Sequence, residues 1–272
     1  MKVIRIAQIL LLSTAMVGNL AVANKGPADI DTLMNQSGMV AVLEALPEQI
    51  ISGFEQAAPA DDPGMAEFAR LVERTVSGAA LVEQVSAALQ ENLTRGDLKA
   101  LNKWYATPMA QRITALENQA MDPEMMERTS AMLDSLMADE ERVVMARELN
   151  DLVQASERAI QMAQMMQRAL LAPMMVDMDT LDQELLLQQV DAELEKNRAE
   201  IDKYMAASSV ATYASLDKTA LQTYIDFLAQ PAAQKFYSVS MDAMAAAFAD
   251  MFGELGSAMM AVAEAAVTEG AD

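Results

Sequence analysis

Apolar residues return every three or four positions through almost the whole chain, the spacing that gathers them on one face of an α-helix. No run of alternating β-branched residues bounded by hairpin turns interrupts that pattern. The sequence therefore predicts an all-α protein, a multi-helix bundle. A first helix is expected over residues 30–45, capped by Asp29 or Asp31, with Leu33, Met34, Met39, Val40, Val42 and Leu43 at its apolar positions. Pro47 is expected to restart the chain in a short helix carrying Ile50, Ile51 and Phe54. In the loop APADDPG, Asp61 or Asp62 is placed to cap a third helix, with Pro63 in its first turn and Phe68, Leu71 and Val72 beyond. Ser77-Gly78 predicts a break before a fourth helix that uses Leu81, Val82, Val85, Leu89 and Leu93.

Downstream, Asp122-Pro123 predicts another helix start. From residue 138 to residue 171 the periodicity runs on, which predicts one extended helix that Pro173 ends or kinks. Residues 180–205 read as a single bundle helix of nearly heptad spacing, with Leu187, Val190, Leu194, Ile201 and Tyr204 apolar and Asn197 at one buried position. A last helix is expected over residues 232–267, striped by Phe236, Met244, Phe248, Met251, Leu255, Met259 and Val262. Its acids Asp242, Asp250, Glu254 and Glu264 make it a poor membrane span.

A repeat organises this pattern. Residues 93–113, LTRGDLKALNKWYATPMAQRI, lie without gaps over residues 216–236, LDKTALQTYIDFLAQPAAQKF, at an offset of 123. Leu93, Leu98, Ala106, Pro108, Ala110 and Gln111 meet identical residues at Leu216, Leu221, Ala229, Pro231, Ala233 and Gln234. Trp104 meets Phe227, Arg112 meets Lys235 and Ile113 meets Phe236, so physical roles coincide as well. Each copy reads as a cap, Thr94 or Asp217, then a helix bearing a leucine and an aromatic, then a corner at Thr107 or Gln230 and a proline that opens a second helix. A weaker echo pairs LMNQS, from Leu33, with LVQAS, from Leu152, at an offset of 119. The bundle is thus expected to consist of two diverged, pseudo-symmetric helical units, residues 24–137 and 138–272.

At these residues the sequence resembles the bacterial exported family known as domain of unknown function 2059. The resemblance rests on WYATPMAQR and FLAQPAAQK: an aromatic-bearing helix, a small or polar residue before proline, then a small residue, Gln and a basic residue. It implies a periplasmic helical bundle and transfers no catalytic residue.

The first 23 residues change the expected location. Lys2 and Arg5 precede an uncharged apolar run and then Ala21-Val22-Ala23, the order of a secretory signal peptide cleaved after Ala23. The run is short for a bilayer span, and no cysteine follows it to carry a lipid. Cleavage would remove two cations and no acid, taking the net charge from −21 to −23. Such a charge repels nucleic acid and anionic membranes, so neither is expected as a partner. With no cysteine there are no disulfides, and stability outside the cytoplasm rests on packing.

Composition also narrows the chemistry. There is no histidine or cysteine, which removes thiolate catalysis, Ser-His-Asp catalysis and the usual zinc and haem ligands. The glycines form neither a P-loop nor a dinucleotide fingerprint. Asp61-Asp62 reads as a helix cap, and Asp139, Glu140 and Glu141 as the first turn of a helix. The chain holds 24 methionines, densest at Met162, Met165 and Met166 and at Met174, Met175 and Met178, while Met125, Met132, Met244, Met251 and Met259 are spread as core substitutes for leucine. Trp104 and Phe227 are expected as core anchors, and Gln111, Arg112, Gln234 and Lys235 as polar groups at helix starts. No catalytic, cofactor-binding or metal-binding residue is assigned. The expected function is that of a non-enzymatic binding or interaction protein of the cell envelope, engaging a protein or other envelope partner through a Met-containing apolar groove between the two units. The alternative is Cu(I) handling by the methionine clusters.

Overall fold

The computed structural model describes residues 30–57, 65–120, 122–175 and 178–269, and among them every regular element is an α-helix. In chain order these are α1 (Ile30–Gln36), α2 (Met39–Ala57), α3 (Met65–Thr75), α4 (Gly78–Asn92), α5 (Arg95–Tyr105), α6 (Pro108–Ala120) and α7 (Pro123–Ala131). A single helical turn at Leu133–Leu136 leads to α8 (Glu140–Leu152), α9 (Ala155–Met175), α10 (Thr180–Lys196), α11 (Arg198–Thr212), α12 (Lys218–Leu228) and α13 (Pro231–Glu269). The all-α, multi-helix prediction is borne out. The leader with its cleavage point after Ala23, the cap at Asp29 and the Asp61-Asp62 loop lie outside the described residues. No helix among the described residues is long and apolar enough to cross a membrane.

Caps account for most of the predicted starts. Ser77 accepts the Ala80 amide ahead of α4, Asp122 accepts the Glu124 amide ahead of α7, and Asp139 accepts the Arg142 amide ahead of α8. Each replaces a bond that the first turn of a helix cannot make internally.

Three expected helices divide, for different physical reasons. Residues 30–45 split at Ser37-Gly38, where Gly38 takes a left-handed φ of 78° that a side chain would oppose. Pro47 does not restart the chain and sits inside α2. It withholds an amide from the Leu43 carbonyl, and that carbonyl lies against Gly78: a Cβ there would stand 2.6 Å from it and 2.6 Å from the Glu44 Cα. The expected extended helix over 138–171 breaks at Gln154, left-handed at φ 53° with neither Gly nor Pro to announce it, and α9 continues through Pro173 to Met175. The segment 180–205 turns at Asn197, which is a half-buried corner rather than a buried heptad position; its Nδ2 donates to the Glu193 carbonyl at 2.7 Å.

The helices pair in a recurring pattern. α1 packs on α2, α4 and α5, α2 on α3 and α4, and α5 on α6; correspondingly α8 packs on α9, α11 and α12, α9 on α10 and α11, and α12 on α13. Across the middle, α4 lies on α13 and α11 lies on α6. The main core runs through both sets, from Leu33, Met39 and Leu89 to Leu216, Ile225 and Phe236, each buried apolar side chain contributing roughly 1.5–3 kcal/mol. A second core joins Ala159, Ile160 and Ala163 of α9 to Leu194 of α10 and Ile201 and Met205 of α11.

Gly78 and Gly96 offer opposite outcomes. Gly78→Ala must push α4 off the α2 backbone, and chemical denaturation is expected to show a loss of about 1–3 kcal/mol. Gly96→Ala, whose Cβ meets only the Thr94 Oγ1 at 3.6 Å in the first turn of α5, is expected to be neutral or to gain up to about 1 kcal/mol.

Candidate functional site

The two predicted helix corners have the same boundaries at the offset of 123: α5 spans Arg95–Tyr105 and α12 spans Lys218–Leu228, and α6 and α13 open on Pro108 and Pro231. Thr94 and Asp217 accept the amides of Asp97 and Ala220, three residues on, and Thr94 with Asp97 closes a full capping box. The C-caps Ala106 and Ala229 share φ/ψ of −74°/−8° and −72°/−10°. Ala110 and Ala233 are both buried, which explains a small residue after each proline.

These corners face each other. The Trp104 ring lies on the Phe227 ring with centroids 4.3 Å apart and planes 7° from parallel, so both are anchors, although Trp104 is only half-buried. Arg112 Nη2 donates to the Ser215 carbonyl at 2.7 Å just before the second cap, and Lys235 Nζ reaches Asp97 Oδ2 at 3.3 Å within the first. Thr94 and Lys235 hold the Asp97 carboxyl below its ordinary range, the Thr94 amide contributing most. Gln234 Nε2 donates to the Leu228 carbonyl at 2.7 Å and to the Leu152 carbonyl at 3.0 Å, closing the ends of two helices. Three of the four polar residues at the predicted helix starts thus bind groups outside their own helices; Gln111 is exposed.

Beside the stacked rings lies a hydrogen-bonded cluster that sequence reasoning missed. Glu117 Oε1, on α6, accepts the Tyr213 hydroxyl at 2.7 Å and the Tyr224 hydroxyl at 2.8 Å. Because Tyr224 has a single hydroxyl proton, Tyr237 must be the donor in their 3.1 Å contact, and Tyr105 in turn the donor to Tyr237 across a weak 3.5 Å contact. Every hydroxyl in the chain therefore points its proton toward one carboxylate. The loop that carries Tyr213 is held by α8: Arg142 donates to the Tyr213 carbonyl at 3.2 Å and to the Leu216 carbonyl at 2.7 Å. Burial pushes all four phenols well above their usual range, and the Glu117 charge adds to it, as the second cause at Tyr213 and Tyr224.

The cluster forms one end of a partly enclosed cavity of about 140 Å³. Helical spacing builds the walls: Ala155, Arg158, Met162 and Met165 line one face of α9; Tyr237, Met241, Met244 and Phe248 one face of α13; Met205 and Ser209 one face of α11. Val42, Leu43 and Leu46 of α2 and Leu149, Asn150 and Val153 of the α8 end close it. The Ser209 hydroxyl donates to Asn150 Oδ1 at 2.7 Å, satisfying a buried polar pair. Five methionines line this cavity, so the predicted cluster divides: Met162 and Met165 enter the wall, whereas Met175 ends α9 and Met178 precedes α10, their carbonyls accepting Gln183 Nε2. The side chains of Met166, Met174 and Met259 lie outside the described residues, and Met132, expected as core, is 43% exposed.

Chemically the lining is apolar with a few placed polar groups. Glu117 is the one acid among the residues that line it, so the cavity supplies no paired carboxylates for acid–base work. Among the described residues no group of three or more acids, histidines or cysteines is placed to hold a metal ion. The predicted first-turn acids are used locally: Asp139 caps α8 and Glu141 pairs with Lys218.

The phenol environment gives a pH expectation. A tyrosine with a folded pKa above the unfolded value of 10.0 keeps its contribution to stability below pH 10 and loses it above, where the unfolded chain releases the proton first. Tyr204 is also raised by burial, so no tyrosine of the native protein is expected to ionise near pH 10. Phenolate absorbance should stay flat through that pH and rise together with unfolding at more alkaline pH; a normal titration in the folded state would contradict the cluster.

Comparison with known proteins gives a narrow result. No curated protein and no solved structure matches the chain. Residues 79–139, from α4 to the cap of α8, match the family model described as "Uncharacterized protein conserved in bacteria", domain of unknown function 2059, so the family resemblance carried by WYATPMAQR holds over that segment.

Proposed function

We propose that this is an exported, non-enzymatic binding protein of the bacterial cell envelope, built from two duplicated helical units that enclose a small-molecule site where they meet. The observation that carries this reading is the Met-lined cavity with its tyrosine–glutamate end, since ligand sites are largely apolar with few precisely placed polar groups. The occupant is a small molecule rather than the partner helix that a groove would take: a helix is about 10 Å across, too wide for a cavity of about 140 Å³.

Duplication is supported by the repeated pairing of α1–α6 and α8–α13, by the equal corner boundaries and by the reciprocal packing of α4 on α13 and α11 on α6. Export is supported by the leader-like first 23 residues. A second reading draws on the same cavity. Met162, Met165, Met205, Met241 and Met244 bring five thioethers from three helices to one cavity, a soft environment suited to Cu(I).

Two measurements test these readings. Native mass spectrometry of protein isolated from its own envelope is expected to retain a bound small molecule that the cavity-filling variant Ala245→Trp loses; an empty cavity in both would count against binding. Anaerobic titration with Cu(I) is expected to show no affinity beyond that of a weak competing chelator, and tight stoichiometric binding would favour the metal reading instead. For export, the N-terminus of the protein recovered from the periplasmic fraction is expected at Asn24, and an intact Met1 on cytoplasmic protein would contradict it.

A further inference from the structure

The polar groups around the cavity are not equally satisfied. Glu117 Oε1 already accepts two phenols, and Asn150 Oδ1 already accepts Ser209. Arg158 differs. Its side chain is 15% exposed, its Nε is buried with no hydrogen-bond partner, and its other contacts are long: 3.5 Å from Nη1 to Asp242, itself 72% exposed, and 3.3 Å from Nη2 to Gln154. A guanidinium held only by these long contacts keeps donor capacity to spare, and an acceptor that reached it would gain a charge-assisted bond. Arg158 shares the cavity face of α9 with Met162 and Met165, so its weakly held guanidinium and the apolar wall border one site.

Volume limits what can bring that acceptor. An enclosed apolar cavity of roughly 150 Å³ takes a benzene-sized ring, and this one measures about 140 Å³. Resting on the binding reading above, we infer that the cavity takes a compact apolar monocarboxylate, a ring or short branched body of benzene-like size whose carboxylate sits against Arg158. The apolar body packs among the methionines, whose flexible thioethers adapt to its shape. The carboxylate accepts from the guanidinium, a charge-assisted bond of the stronger kind. A cationic ligand of the same size finds a guanidinium at one side and a carboxylate already carrying two hydroxyls at the other.

Titration calorimetry and thermal-shift measurements on the full mature chain with toluene, benzoate and benzylamine test this. Toluene is expected to bind, which reports the apolar cavity alone. Benzoate is expected to bind about tenfold or more tightly than benzylamine, as a charged hydrogen bond would give. Arg158→Met is expected to bring benzoate down to the level of toluene while toluene is unaffected. Arg158→Lys, which keeps the charge and lacks the planar fork of N–H donors, separates hydrogen bonding from charge: benzoate's advantage should shrink. If these variants do not fold, the comparison of benzoate with benzylamine in the unaltered chain decides alone. Toluene binding with no preference for benzoate would overturn the carboxylate inference and leave the binding reading standing, whereas a cavity that takes neither toluene nor benzoate would overturn both.

Discussion

Oε1 of Glu117 accepts the hydroxyls of Tyr213 and Tyr224, and through Tyr237 it orders the hydroxyl of Tyr105. These five residues come from α6, the loop after α11, α12, α13 and α5, so one carboxylate fixes elements far apart in sequence. The constraint is directional. A phenol has one proton, and once Tyr224 gives it to Glu117 the remaining donors have no choice of sense. Burial keeps the phenols protonated, and protonated phenols are what a half-buried carboxylate needs.

The cluster needs the corners to be where they are. Pro108 and Pro231 begin helices whose first amides would have had no internal partner, so a sharp turn after α5 and α12 costs little. The turn brings Trp104 onto Phe227, and Arg112 and Lys235 each reach across to the cap region of the other corner. Yet the polar cluster breaks the likeness between the corners. At the offset of 123, Tyr224 corresponds to Leu101 and Tyr105 to Leu228, all four buried. The hydroxyls of Tyr105 and Tyr224 therefore sit at positions that the two corners do not share, and Tyr224 lines the cavity.

What the sequence made legible follows from how local each feature is. Caps and proline starts are set by neighbours within three residues: Thr94 and Asp217 were readable as caps and Ser77 and Asp122 as the breaks where helices begin, whereas Asp139, read inside a first turn, is the cap itself. The left-handed turn at Gln154 had no breaker, because its conformation is imposed by the packing of α8 and α9 rather than by its own preference. Gly38 and Asn197 did carry turn chemistry, and the apolar period running through them concealed it. At the site, Met244 and Phe248 were visible in an apolar stripe, and Met162 and Met165 as part of a methionine cluster. Glu117 and the tyrosines were not, because only the long-range packing of five elements turns one acid among 40 and four scattered phenols into a cluster.

The most direct test of the claim that Glu117 and the phenols act as one unit is a double-mutant cycle in unfolding free energy between Glu117→Gln and Tyr224→Phe. The account expects strong coupling, about 1 kcal/mol or more, since each change alone leaves a buried partner unmet. Additive effects, within about 0.5 kcal/mol, would contradict it.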